Sequence, residues 1–250
     1  HLILIMSDII KTEAIVLRKI NFGDSSRIAL FYTKDFGKIS GIIKGARSSK
    51  SKIGSMVDTI NLLQLVLYKK DTREIQLISE VDLIQHFSHI KDDFQKLKYA
   101  TAIIELLTTM TSENEHNIKL FDGTVRILTL IDSTDENPQL LFLKYFFFFL
   151  KEIGYKFQIE HCNVCGKKIN SGDQASYNYE TGLMCSECRK DRLTNFNFTE
   201  ELFELLTCLN SKRNNIKYSE KDLDLIMKML EKFLMYQLHE FKGLKTFNLN

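Results

Sequence analysis

The chain has 250 residues, of which 44% are hydrophobic and 26% are charged, and its formal net charge at pH 7 is +2. These values are close to the averages of globular proteins, so they exclude a disordered or fibrous chain, and the length suits one large domain or a few small ones. A net charge this small does not identify a nucleic-acid-binding protein by itself.

The two most apolar stretches do not indicate a membrane protein. The first five residues, HLILI, are too short for a signal peptide and lack its basic n-region, so we expect Met6 to be the natural start and HLILI to be an upstream remnant. Residues 140–150 are too few to span a bilayer and include Lys144. We expect a cytoplasmic protein with no membrane partner and with reduced cysteines.

The first 85 residues have the pattern of β-strands. Period-two alternation and β-branched or aromatic residues mark the segments EAIVLRKI, RIALFYT, KISGIIKG, INLLQLVLYKK and EIQLISEVDLI. Turn sequences separate these segments, and the connection between the third and the fourth is long. Five strands with this spacing favour a small closed barrel of the oligonucleotide-binding (OB) type over part of a β-sandwich.

The long connection contains KGARSSKSKIG, residues 44–54, with four cations and no acid. Between residues 34 and 52 six cations accompany one acid, so positive charge is concentrated there. A basic run is most often only a solvated loop. This one joins strands of a barrel that commonly binds nucleic acid, and its glycine and serines let the backbone approach phosphates. We therefore predict these nucleic-acid-binding residues: Lys38, Lys44, Arg47, Lys50, Lys52 and, as an aromatic platform at a hairpin tip, Phe36.

From about residue 92 the apolar period changes to that of helices. One predicted helix carries the stripe Phe94, Leu97, Thr101, Ile104 and Leu107, and the next carries Ile118, Phe121, Val125, Leu128 and Ile131. A third begins after Asn137 and ends near Gly154, and its run of phenylalanines is expected to be core. Two more helices follow, one from about Thr199 and one opened by a capping box at Ser219.

Four cysteines form the strongest motif. Cys162 and Cys165 are followed, after nineteen residues, by Cys185 and Cys188, so two Cys-x-x-Cys turns can present four thiolates to one cation. Two alternative interpretations are an iron–sulfur cluster, which also uses four thiolates, and a redox dithiol, which needs only one pair of cysteines. The spacing favours a zinc ribbon with one structural Zn²⁺ per chain, because four protein ligands leave no open coordination position.

No catalytic motif accompanies these features. The sequence has no phosphate-cradling Gly-rich loop, no H-E-x-x-H or G-x-S-x-G motif, and no compact set of acidic residues for a two-metal site. We therefore expect a binding protein and not an enzyme. From the residues alone, the expectation is a nucleic-acid-binding barrel joined to a zinc-stabilised helical part.

The order of the motifs resembles the RecO family of bacterial recombination mediators over residues 6–250. The resemblance rests on TEAIVLRKINFGDSSRIALFYTKDFGKISGIIKGARSSKS, on FLKEIGY, on CNVCGKK with SYNYETGLMCSEC, and on the final GLKTF. It implies an α+β protein with an OB barrel over residues 1–87. An all-α domain would follow over residues 88–250, with a zinc ribbon inserted at about 160–192.

The resemblance also implies a function and partners. Members bind single- and double-stranded DNA, anneal complementary strands without ATP and help to load the RecA recombinase. Expected partners are RecR and the C-terminal tail of single-strand-binding protein, and the expected location is the nucleoid. The alternative is a zinc-ribbon scaffold for protein interactions without a direct role on DNA. Annealing of complementary strands without nucleotide would distinguish a mediator from such a scaffold.

Overall fold

A computed structural model describes residues 8–49, 51–70, 72–155, 157–170, 172–211 and 217–247. Met6, the expected natural start, and Lys50, one of the predicted nucleic-acid contacts, lie outside these described residues. Contacts divide the chain into two compact units, residues 1–138 with 245–250 and residues 139–244. None of the described helices is both long and apolar enough to cross a lipid bilayer.

The first unit begins with a closed β-barrel. Its strands are β1 (Asp8–Phe22), β2 (Ser26–Thr33), β3 (Gly37–Ile43), β4 (Leu62–Lys69) and β5 (Ile75–Gln85). Among the described residues they close in the order β1-β2-β3-β5-β4, with β1 also paired to β4. All pairs are antiparallel except β3 with β5. The predicted OB-type barrel is therefore confirmed.

Alternate residues of the strands fill the barrel. On β3, buried and half-buried positions alternate along the whole strand, as period two requires. Phe31 and Leu65 are fully buried inside, whereas Ile28 and Ile42 are half-buried on the outer side. The register of β1 against β2 shifts just before Arg18, and every residue of β1 from there to its end is exposed. The last part of β1 therefore extends beyond the barrel core.

Among its described residues the first unit also contains four α-helices, one in the connection between β3 and β4 and three after the barrel. They are α1 (Ile53–Met56), α2 (Ser88–Asp92), α3 (Phe94–Met110) and α4 (Ile118–Ser133). The predicted apolar stripe of α3 is partly wrong, because Phe94 is 75% exposed and Thr101 is also exposed. The buried face instead includes Ala100, Ile103 and Leu107. A pattern drawn through large side chains overlooks alanine, whose small size allows neighbouring elements to approach closely.

The second unit contains three further α-helices and a small sheet among its described residues, while a 3₁₀-helix at Lys245–Phe247 belongs to the first unit. The elements of the second unit are α5 (Pro138–Glu152), β6 (Ala175–Asn178), β7 (Gly182–Cys185), β8 (Phe196–Asn197), α6 (Glu200–Leu209) and α7 (Glu220–Gln237). In the described part, the order of the sheet is β7-β6-β8. Phe146, Phe147 and Phe149 of α5 are buried, which confirms the phenylalanine run as core. The predicted capping box at the start of α7 is present.

Candidate metal centre and nucleic-acid surface

The four predicted cysteines converge in the second unit. The Sγ atoms of Cys162, Cys165, Cys185 and Cys188 all lie within 4.8 Å of one another, and the Sγ atoms of Cys165 and Cys185 are 3.9 Å apart. Sulfurs around a tetrahedral zinc, at a Zn–S distance of about 2.3 Å, are roughly 3.8 Å apart. The four thiols are therefore close enough together to hold one metal ion.

Local backbone geometry brings the two pairs together. The Gly166 N–H donates to the Cys162 carbonyl at 2.8 Å, which closes the first turn. Gly166 has φ +72°, a conformation that favours glycine, and this explains the glycine after the second cysteine. The Asn163 N–H donates to the Leu183 carbonyl at 2.8 Å and so fastens the first turn to β7, whose last residue is Cys185.

The chain favours the ionised form of one thiol. Burial disfavours the thiolate of Cys162, but backbone N–H groups, including those of Cys185 and Val164, donate to its sulfur and lower its pKa to about 6. A hydrogen bond with Cys165 stabilises the protonated form of Cys188 and raises its pKa to about 12. Because metals bind thiolates, a metal that joins this cluster must release protons from it.

The basic connection between β3 and β4 is folded onto one end of the barrel. Ala46 is 3% exposed and packs in the barrel core, together with Val57 at the other end of the connection. A Cβ atom added to Gly54 would lie 1.9 Å from the Ala46 carbonyl oxygen, so this approach requires glycine. The Arg27 guanidinium donates to the Gly54 carbonyl. The connection is therefore a packed part of the barrel in its described residues.

Three of the predicted cations lie on the outer side of this connection. Lys44, Arg47 and Lys52 are exposed. The Arg47 backbone N–H donates to the Ser25 carbonyl at 2.9 Å, and its Nη1 donates to the Gly23 carbonyl at 2.8 Å. The turn between β1 and β2 thus orients the guanidinium, which has five N–H donors in all.

Lys38 is placed differently from these three. Its Nζ donates to the carbonyls of Thr108 at 2.9 Å and Thr111 at 2.6 Å, at the end of α3. Lysine is favourable there because the helix dipole is negative at its C-terminus. Burial lowers the pKa of Lys38, and the Asn114 N–H donates to the Lys38 carbonyl at 3.1 Å. This placement gives no support to Lys38 as a DNA contact.

The aromatic residues also differ from the expectation. The predicted platform, Phe36, is only partly exposed, because its ring packs against the barrel core and the Lys69 Nζ lies 5.5 Å from the ring centroid. Phe22 is 52% exposed and Ile20 is 51% exposed, both at the end of β1. The sequence prediction selects Phe36 as the platform and not Phe22, the other aromatic residue near the basic segment, and it misses Ile20. The available signal was the alternation in RKINF, which places the two side chains on one face of the strand.

Two protein-family models match the chain. Recombination protein O N terminal matches residues 6–87, and Recombination protein O C terminal matches residues 91–245. The chain belongs to the RecO family. The resemblance inferred from the sequence is confirmed.

Individual relatives agree with these matches. The DNA repair protein RecO of Chlorobium phaeobacteroides is 30% identical over 92% of this chain and 93% of its own length. The proteins of the same name from Chlorobium limicola and Chloroherpeton thalassium are 32% and 35% identical over 65% and 64% of this chain. Each of these two alignments spans 62% of the relative's length.

Proposed function

We propose that this chain is a recombination mediator in DNA repair. It binds single- and double-stranded DNA, anneals complementary strands without ATP, and helps to load RecA onto DNA coated with single-strand-binding protein. The observation that carries the proposal is a basic segment packed onto the end of an OB-type barrel in a member of the RecO family. RecR and the C-terminal tail of single-strand-binding protein are the proposed protein partners, and the nucleoid in the cytoplasm is the proposed location.

The chemistry of the basic segment suits contact with the DNA backbone. Lys44, Arg47 and Lys52 offer exposed cations on a short segment whose glycine and serines leave room for phosphates. Contacts to phosphates carry no sequence information and leave the pairing edges of the bases open. Such a surface can concentrate two strands and still allow them to pair, which is what annealing requires.

We further propose that the chain is not an enzyme and that binding alone drives annealing. Nucleotide-driven work needs a phosphate-cradling loop, and the sequence contains no P-loop motif. The energy for annealing comes from the base pairs that form between the strands. The protein contributes by reducing the repulsion between their phosphates.

The proposed metal is one structural zinc ion per chain. The residues that would bind it are the four converging cysteines, whose sulfurs are close enough together to bind one ion. Four thiolates fill the coordination shell, so the ion would stabilise the ribbon and would bind no substrate. Structural zinc commonly contributes apparent binding energies of about 10 kcal/mol or more to a small domain.

An annealing assay tests the function. Two complementary oligonucleotides, one with a fluorophore and one with a quencher, are mixed with the purified protein, with and without ATP or a non-hydrolysable analogue. We expect the protein to accelerate annealing equally in all three conditions. Acceleration only with ATP would contradict the absence of a nucleotide requirement. A folded protein that binds neither strand in a parallel filter-binding titration would favour the scaffold function.

A further inference from the structure

The outer side of the barrel carries a row of apolar side chains that the core does not use. Residues directly opposite each other on neighbouring strands share a face of the sheet. Ile20 on β1 is paired with Ile28 on β2, Ile28 with Ile42 on β3, and Ile42 with Leu77 on β5. Ile20 is exposed and the other three are half-buried. Ile20 is therefore the exposed end of an apolar row that continues along the outer side of the barrel.

Phe22 lies where this row meets the basic segment. It is two residues beyond Ile20 and therefore on the same face of β1, and it is paired with Ser26 across the hairpin. The next residue, Gly23, accepts the hydrogen bond from the Arg47 side chain. The residue that follows this exposed aromatic side chain therefore binds the guanidinium of the basic segment and orients it.

The charges around this face favour nucleic acid over protein as its occupant. Arg18, two residues before Ile20 on the same face, is exposed, and Lys44 and Arg47 are exposed on the neighbouring segment. Asp24 is the only acid between Arg18 and Arg27 in the sequence. An apolar surface with an aromatic ring and flanking cations matches the requirements of a nucleotide strand, whose bases stack while its phosphates pair with cations.

We propose that Phe22, supported by Ile20, is the position where an unpaired base stacks when the strand's phosphates lie on the basic segment. The inference rests on the proposed binding of DNA and adds the surface that receives the bases. Duplex DNA keeps its bases stacked within the helix, so it cannot use this position. Phe22 therefore gives a preference for single strands that the cations alone cannot supply.

The chain contains no tryptophan, so Phe22→Trp introduces one fluorescent reporter at this position. Titration of this variant with oligothymidylate is expected to quench its emission, because stacked bases quench indole. Duplex DNA at the same fractional saturation is expected to leave the emission unchanged. Phe94→Trp is the matched control, since Phe94 is 75% exposed on α3, far along the sequence from the hairpin, and single strands should not quench it.

Affinity measurements provide the second readout. Phe22→Ala is expected to weaken binding of oligothymidylate about fivefold or more, whereas Phe22→Tyr retains most of it. Binding of duplex and the salt dependence of binding should not change, because no charge is removed. Phe94→Ala is expected to have no effect on either DNA.

The outcomes separate this inference from the proposed function. If the unaltered protein binds single strands and Phe22→Ala binds them equally well, DNA binding stands and the stacking site is wrong. An equal loss on single strands and duplex would also overturn the stacking site, because it would indicate a disturbed hairpin. If the unaltered protein binds neither form of DNA, both proposals fail.

Discussion

The cysteine cluster and the basic segment are the two regions with the clearest chemistry, and they are stabilised in opposite ways. The turns that carry the cluster, residues 163–168 and 186–192, are exposed or half-buried and have little apolar packing of their own, although the adjoining strands β6 and β7 are mostly buried. The basic segment lies on a barrel that already has a complete core, with Ala46 as its anchor. The cluster therefore depends on its ligands, whereas the cations of the basic segment depend on the barrel and contribute little to it.

This difference separates residues that determine folding from residues that determine binding. Changes at the cluster should alter the stability of the second unit before they alter DNA affinity. Changes to the exposed cations should alter affinity and leave stability unchanged. Lys38 tests this separation between folding and binding residues. The sequence predicts it as a DNA contact, whereas in the structure its ammonium bonds carbonyls at the end of α3.

The largest effect is expected at the cluster. Cys185→Ser should abolish stoichiometric zinc and lower the melting temperature strongly, because a structural zinc site contributes on the order of 10 kcal/mol to local folding. Elemental analysis together with thermal unfolding measures both effects. Cys208→Ala is the control, since Cys208 is buried in α6 outside the cluster, and it should retain about one zinc per chain. A Cys185→Ser protein with a full equivalent of zinc, or an unaltered protein with iron, would contradict the assignment.

A smaller effect is expected at Lys38. Lys38→Met keeps most of the side chain's length but removes the ammonium that bonds the Thr108 and Thr111 carbonyls. The free energy of unfolding should fall by about 1 kcal/mol, as for loss of a hydrogen-bonded helix cap. Urea denaturation measures the change, and the salt dependence of DNA binding should stay the same. Unchanged stability with a reduced salt dependence would restore Lys38 to the DNA-binding set.

The smallest effect on stability is expected for the exposed cations. Lys44→Ala combined with Lys52→Ala should leave the free energy of unfolding unchanged, because exposed loop charges contribute little to folding. Binding of all DNA sequences should weaken alike. The log–log salt slope should fall by about 0.7 per lost contact on single strands and about 0.9 on duplex.

The matched control removes two cations from α7. Lys228 and Lys232 are both exposed there, so Lys228→Ala with Lys232→Ala makes the same change in net charge at a different place. This control should reduce the salt slope less than the loop variant does. Equal slopes for the loop variant and the unaltered protein would identify the basic segment as a solvated loop.

Local sequence patterns determined most of the fold. Strand and helix positions follow from the spacing of apolar residues, and the start of α7 follows from a serine and an aspartate three residues apart. The cysteine cluster was predictable because two Cys-x-x-Cys turns leave few alternatives for four thiols. The apolar spacing and the capping box involve residues that are close in sequence, and the four cysteines share a chemistry that few other residues have.

Only the tertiary structure decided which cations and rings face solvent. Lys38 and Lys44 belong to the same basic stretch, yet Lys38 reaches α3 carbonyls about seventy residues away in the sequence. Phe36 and Phe22 both flank β2, but the ring of Phe36 packs against the barrel core while Phe22 extends beyond it. The spacing of apolar residues and the composition of a segment give information only about that segment. The partner that buries a side chain comes from a distant segment, so its exposure depends on how the barrel closes and which helix covers it.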